Sequence, residues 1–170
     1  MTFLMCNSQE VPYALTTIAP QLNDEQLREA LLDNWTRCEA HGPYREQLLT
    51  AFKRVGFITD TDHVSMADIV PDVAFCIYRG NLGEPEPCGL SWTLRPERAQ
   101  FFCKYYTSIR AHMILGIPPL EPGQHAMVWR AQVRPEDVLG FFDGRGEEEV
   151  VVDPSTLFDV TPIQELRDVT

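Results

Sequence analysis

The chain has 170 residues, with 14 basic and 25 acidic side chains and a formal net charge of −11 at neutral pH. This length suits one compact domain with its own core, and the acidic balance argues against nucleic acid or an anionic membrane surface as a partner. The sequence contains no apolar run of about eighteen residues that would span a membrane and no signal-peptide pattern at its N-terminus.

Helical periodicity dominates the first part of the chain. Residues 1–22 show no clear pattern and are predicted to be irregular. Asn23, with Gln26 three residues later, forms the capping-box pattern that starts a helix. A second helix is predicted in "GPYREQLLTAFKRVG", and Gly56 suits its C-terminal end. The apolar faces of these two helices consist of Leu27, Leu31 and Trp35, and of Leu48, Phe52 and Val55.

Residues 57–72 are predicted to be a loop with one helical turn, and strands dominate the sequence after it. The stretches "DVAFCIYR", "LSWTL", "HAMVWRAQV", "EEEVVV" and "LFDVTPIQEL" are predicted to be strands, and "RPEDVLGFFDGRG" a short strand followed by a turn. One helix is predicted from Pro96, with Ala99, Phe102 and Tyr106 on a single face. Successive strands are too close in sequence for repeated βαβ crossovers, so we expect an α+β fold with mostly antiparallel strands. Residues 1–70 are expected to form a helical extension packed on a core of residues 71–170, in one compact monomeric domain.

Three short motifs contain candidate site residues. Arg79 ends a strand in "YRG", Ser91 and Thr93 project from one face of "LSWTL", and Glu147 and Glu149 alternate in "EEEVVV". Each motif has an ordinary explanation, respectively a strand-end charge, a half-buried polar strand and a solvated acidic strand entry. Their joint order and strand context are more specific than any one of them.

This order resembles the arginine–serine–glutamate class of ADP-ribosyltransferases, which includes cholera-like and clostridial toxins and eukaryotic ecto-enzymes. The resemblance covers residues 73–160 and is greatest to small bacterial and phage members. It implies a split β-core with a cleft for NAD. It also implies transfer of a single ADP-ribose from NAD, as co-substrate and without a metal, to a protein acceptor.

The resemblance also implies a role for each motif residue. Arg79 would hold the phosphate and ribose end of NAD, since a guanidinium is a planar fork of donors. The backbone of Gly80 would bind the nicotinamide amide, where the missing side chain permits close approach. Glu149 would be the catalytic carboxylate, oriented by a hydrogen bond from Ser91, with Thr93 supporting the strand. Ser91 and Thr93 thus join Arg79 and Gly80 as the expected cofactor-binding residues.

A second carboxylate is expected to select the acceptor. The resemblance implies that Glu147 favours arginine, whose guanidinium must lose a proton before it becomes a good nucleophile. The turn in "FFDGRG" is expected to meet the acceptor, through substrate contacts from Phe141, Phe142 and Arg145.

Several alternatives remain open. An NAD glycohydrolase on the same fold would need Arg79, Ser91 and Glu149 but not Glu147. A catalytically inactive acidic protein would instead bind or inhibit a partner, and a globular domain with a coincidental motif order would not bind NAD. Five cysteines without a C-x-x-C pair favour a reducing compartment, so we expect the cytoplasm, or a host's cytoplasm if the gene is phage-encoded. The four histidines have no metal-ligand spacing.

Overall fold

The computed structural model describes residues 6–38, 42–62, 65–82, 89–106 and 126–166. The α-helices in these ranges are α1 (Val11–Ile18), α2 (Asp24–Asn34), α3 (Arg45–Val55), α4 (Met66–Ile69) and α5 (Pro96–Tyr106). The strands are β1 (Ile58–Thr59), β2 (Phe75–Leu82), β3 (Ser91–Thr93), β4 (Ala126–Val133), β5 (Val138–Phe142), β6 (Glu149–Val152) and β7 (Phe158–Leu166). None of the described helices is both long and apolar enough to cross a membrane.

The strands form one seven-stranded sheet in the order β1-β5-β6-β3-β2-β4-β7. Strand β1 runs parallel to β5, and the other neighbouring pairs are antiparallel. The expectation of an α+β fold with mostly antiparallel strands is therefore confirmed. The central strands β3 and β6 carry the serine and glutamate motifs side by side.

The first helices form because their local signals and their apolar faces agree. The predicted capping box is present, since Asn23 and Gln26 exchange hydrogen bonds between side chain and backbone. Gly56 ends α3 with a φ of +71°, a conformation that favours glycine. The predicted apolar faces are both buried, and they share one cluster with Phe142 and Val151 of the sheet. The helical segment thus packs directly on one face of the sheet, over strands β5 and β6.

The other large helix, α5, packs closely on β2 and β4. Its buried residues are Ala99 and Cys103, which form a small cluster with Ala126 and Val128. Small side chains on the helix permit a short distance between helix and strand. The prediction of Ala99 was correct, but the buried partner on the next turn is Cys103, while Phe102 is only half-buried.

Two features of the first 70 residues differ from the prediction. Residues 1–22 were predicted to be irregular, but Val11–Ile18 form α1, because Val11 and Leu15 are completely buried against the other helices. Residues 57–72 contain β1 as well as the predicted helical turn α4. Ile58 pairs with Gly140, so the N-terminal segment contributes a strand to the sheet itself.

Candidate active site

The three motifs meet at Ser91. Strands β2 and β3 share the register pair Tyr78 and Thr93, whereas β2 and β4 stay paired from Phe75 to Leu82. Beyond Tyr78, the Arg79 guanidinium donates a hydrogen bond through Nη1 to the main-chain oxygen of Ser91 at 2.5 Å. The Ser91 side chain is hydrogen-bonded to the Glu149 carboxylate. Arg79 and Glu149, 70 positions apart in sequence, are thus connected through one serine.

Glu149 begins β6 as a largely buried carboxylate. Its neighbours across the sheet are Thr93 of β3 and Phe142 of β5. Its Oε1 accepts a hydrogen bond from Nε1 of Trp35 at 2.8 Å, and 8% of the residue's surface is exposed.

Burial and hydrogen bonding act in opposite directions on the ionisation of Glu149. Burial raises the pKa of this carboxyl above its ordinary value, and the nearby charge of Glu147 adds to the effect. The hydrogen bonds from Ser91 and Trp35 oppose the increase, as does the positive charge of Arg145. A poorly solvated carboxylate held by neutral donors exerts a strong field on any cation that forms beside it.

Thr93 supports the strand that carries the glutamates. Its hydroxyl donates to the main-chain oxygen of Glu147 at 2.6 Å and accepts from the main-chain N–H of Arg95 at 3.1 Å. The expected supporting role matches this geometry. The expected contact between Thr93 and the cofactor stays a prediction; in this conformation the hydroxyl is engaged with main chain and the residue is only 5% exposed.

The turn at residues 143–148 is built by charged side chains. Glu147 forms an ion pair with Arg145 at 3.0 Å, and about half of the Arg145 side chain is exposed. The carboxylate of Asp60, at the end of β1, accepts main-chain N–H bonds from Asp143 and Gly144, both at 2.9 Å. The turn is therefore tied to the N-terminal segment, with Glu147 and Arg145 at its rim.

Phe141 and Phe142, which were predicted to lie in the turn and contact a substrate, are buried residues, and the predicted contact itself stays a prediction. They lie in β5 rather than in the turn, and their exposed fractions are 6% and 1%. Phe142 packs against the helices, while Phe141 packs on the opposite face of the sheet. The strand simply continues two residues further than its sequence suggested, and alternation sends the two rings into two different cores.

Two glycines permit close approach near Arg79. A Cβ atom at Gly80 would lie 2.3 Å from the main-chain oxygen of Ala99 in α5, so helix packing already explains why glycine is required there. The predicted contact between the Gly80 backbone and nicotinamide stays a prediction. A Cβ atom at Gly89, just before β3, would lie 2.1 Å from Cζ of Arg79. The guanidinium therefore occupies the space that Gly89 leaves open.

The described residues contain no group of three or more His, Cys, Asp or Glu side chains arranged to hold a metal ion. All four histidines lie outside the described residues.

Two site residues were missed by the sequence analysis. Trp35 was identified only as part of a helical apolar face, and Asp60 only as part of a loop. Trp35 is 114 positions from Glu149 and Asp60 is 83 positions from Asp143, so no local pattern links either pair. One signal was present, since a buried tryptophan normally finds a partner for its indole N–H.

Comparison of the chain with protein-family models, with curated proteins and with solved structures found no significant match. The function below therefore rests on the residues of the chain itself.

Proposed function

We propose that this chain is a mono-ADP-ribosyltransferase that transfers ADP-ribose from NAD to arginine on a protein and releases nicotinamide. The observation that carries the proposal is the connection of Arg79 to Glu149 through Ser91. It brings a donor for phosphate oxygens and a buried carboxylate to the point where β2 and β3 part. A split between these strands is a suitable place for a dinucleotide.

The proposed reaction assigns one task to each carboxylate. The bond between ribose C1′ and the nicotinamide nitrogen breaks, and its electron pair leaves with neutral nicotinamide. The Glu149 carboxylate stabilises the positive charge that develops on the ribose. A guanidinium nitrogen of the acceptor then bonds to C1′, and the proton that it loses passes to Glu147 and on to water. Arg79 holds the phosphates, which keeps C1′ beside Glu149.

One observation favours an NAD glycohydrolase as a second candidate. Glu147 is paired with Arg145 through Oε2, so one of the two oxygens that would take the guanidinium proton is already engaged by a cation of the chain itself. Water needs no such base once the ribose cation has formed. The glycohydrolase would use the same Arg79, Ser91 and Glu149, and it would release nicotinamide without labelling a protein.

The test is to incubate the purified protein with labelled NAD and a bacterial lysate, and to measure nicotinamide release and protein labelling separately. Glu149→Gln is the central variant, because its amide oxygen can still accept the Trp35 hydrogen bond. It should fold and lose about 10²- to 10⁴-fold in both activities. Glu136→Gln, an exposed glutamate at the far end of β5, is the matched control and should keep both. Activity that survives in Glu149→Gln would contradict the proposal.

The ratio of the two readouts separates the candidates. Glu147→Gln should abolish protein labelling and leave nicotinamide release, if the chain is an arginine transferase. Nicotinamide release without any labelled protein in the wild type would identify the glycohydrolase. If the wild type has neither activity and does not bind NAD, the proposed function is wrong, and an inactive acidic binding protein becomes the better interpretation.

A further inference from the structure

Trp35 reaches the candidate catalytic carboxylate from outside the motif-bearing strands. It follows α2 directly, in a short turn of 3₁₀-helix at Trp35–Arg37, and it is 1% exposed. Its ring packs edge-to-face on Phe52 of α3 with centroids 4.7 Å apart, and its centroid lies 6.2 Å from that of Phe142 in β5. Contacts from two elements thus fix the orientation of the indole.

The fixed ring aims its single donor at Glu149. An indole has one N–H and no acceptor, and here the N–H lies 2.8 Å from Oε1 of Glu149. The Ser91 side chain bonds the same carboxylate. Together these donors come from a helical turn and from β3, so the carboxylate is held from two directions.

The charged groups around Glu149 have other partners. Glu147 and Arg145 pair with each other at the rim. Lys53, on the helix that packs on this face, pairs with Asp153. In the described conformation, therefore, the Trp35 indole and the Ser91 hydroxyl are neutral donors to Glu149, and such hydrogen bonds favour the ionised form of a desolvated carboxylate.

We propose that Trp35 is a positioning residue whose indole N–H holds the Glu149 side chain in one orientation as a carboxylate, which makes the N-terminal helical segment part of the active site. The effect on turnover rests on the proposed function. The hydrogen bond and its effect on the ionisation of Glu149 do not.

The first test is a proton titration that needs no activity. The chain has three tryptophans, so the wild type should give three indole N–H signals in a ¹⁵N-correlated NMR spectrum. Trp92→Phe and Trp129→Phe identify the Trp35 signal by elimination. This signal should move as Glu149 gains its proton on lowering the pH, and it should stay still in Glu149→Gln. A Trp35 signal that ignores the Glu149 titration would overturn the proposal, whether or not the protein cleaves NAD.

The second test is Trp35→Phe, which removes the N–H and keeps an aromatic ring. The acid limb of the pH profile for nicotinamide release should move to higher pH. The rate near neutral pH should fall about tenfold, which corresponds to about 1.4 kcal/mol. Trp92→Phe is the matched control, because Trp92 is equally buried and donates its N–H to the Gly89 carbonyl at 3.0 Å on the other face of the sheet. An unshifted profile in Trp35→Phe, or the same shift in Trp92→Phe, would contradict a positioning role. If Trp35→Phe does not fold, the wild-type titration still decides.

Discussion

The substitution Gly80→Ala distinguishes helix packing from ligand binding at one position. The added Cβ atom would lie 2.3 Å from the main-chain oxygen of Ala99 and 2.9 Å from the main-chain nitrogen of Cys103. A comfortable carbon–oxygen contact is about 3.3 Å or longer, so α5 must withdraw from β2 by about 1 Å. Both of these obstacles are backbone atoms, which cannot rotate away. We therefore expect a loss near the upper end of the range for overpacked cores, about 3 kcal/mol.

Urea denaturation of Gly80→Ala measures this loss directly, and Gly42→Ala is the matched control. Gly42 is exposed, and a Cβ atom there would have nothing within 4 Å, so the control should change the free energy of unfolding by no more than about 0.5 kcal/mol. A Gly80→Ala protein as stable as the wild type would refute the packing argument. If that stable variant also failed to bind NAD, the backbone of Gly80 would be a ligand contact, as the resemblance to ADP-ribosyltransferases implies.

Further substitutions test the carboxylate, the turn and the arginine. Glu149→Gln should increase the free energy of unfolding at pH 7. Burial raises the pKa of Glu149 in the folded protein, so its contribution to stability is complete below the ordinary pKa and is lost as the pH rises through the folded value. In denaturation experiments between pH 4 and 8, the extra stability of Glu149→Gln over the wild type should therefore shrink as the pH falls toward 4. A stability difference that grows toward pH 4 would contradict a raised pKa of Glu149. Asp60→Asn loses one of the two N–H bonds to the turn. It should cost about 1 kcal/mol and reduce protein labelling more than nicotinamide release, so equal loss of both would argue against a role of the turn in acceptor binding. Gly89→Ala should displace the flexible guanidinium of Arg79 and weaken NAD binding about tenfold or more in a calorimetric titration, with little change in thermal stability. Unchanged affinity would mean that Arg79 is structural.

Sequence signals that act over a few residues correctly predicted helices α2 and α3. The Asn23 capping box and the Gly56 terminus could be identified because each uses side-chain or backbone chemistry within a few residues. The faces of α2 and α3 followed from apolar spacing alone. Strands β2 and β6 were both predicted, but their ends differ. Arg79 was predicted to end its strand, whereas β2 continues to Leu82 because it stays paired with β4, and β6 begins at Glu149 rather than at Glu147.

The missed elements depend on tertiary contacts. Helix α1 contains the sequence "VPYALTTI", in which β-branched residues lower the helix propensity. Its formation follows from the burial of Val11 and Leu15, which the local sequence does not encode. Strand β1 has two residues and pairs with β5 about 80 positions later. The face of α5 was assigned to Ala99 together with the large Phe102 and Tyr106, whereas the residue buried beside Ala99 is the small Cys103, because Gly80 lies opposite.

The motif residues of the candidate site could be predicted from the sequence, but the residues that cover Glu149 could not. The Ser91 and Glu149 pair follows from two adjacent strands with alternating side chains. The misassigned pair, Phe141 and Phe142, shows the limit of that reasoning, since a shift of two residues in a strand end converts surface residues into core residues. The helical segment that covers Glu149 has no motif of its own, so its contribution through Trp35 appears only in three dimensions.

The three consecutive glutamates illustrate how surroundings assign different chemistry to one residue type. Glu147 pairs with Arg145 and Glu148 with Arg95, and each of these arginine side chains is about half exposed. Such partly exposed pairs contribute little to stability. Glu148 also has a φ of +45°, so the backbone changes direction just before Glu149 enters the sheet. Glu149 is the one of the three that is buried. Burial raises its pKa and removes the water that would weaken its field, while the hydrogen bonds from Ser91 and Trp35 oppose the pKa increase. Under the proposed function, water-poor surroundings suit the carboxylate that stabilises the short-lived ribose cation, whereas a partly exposed ion pair suits the carboxylate that takes a proton from the acceptor.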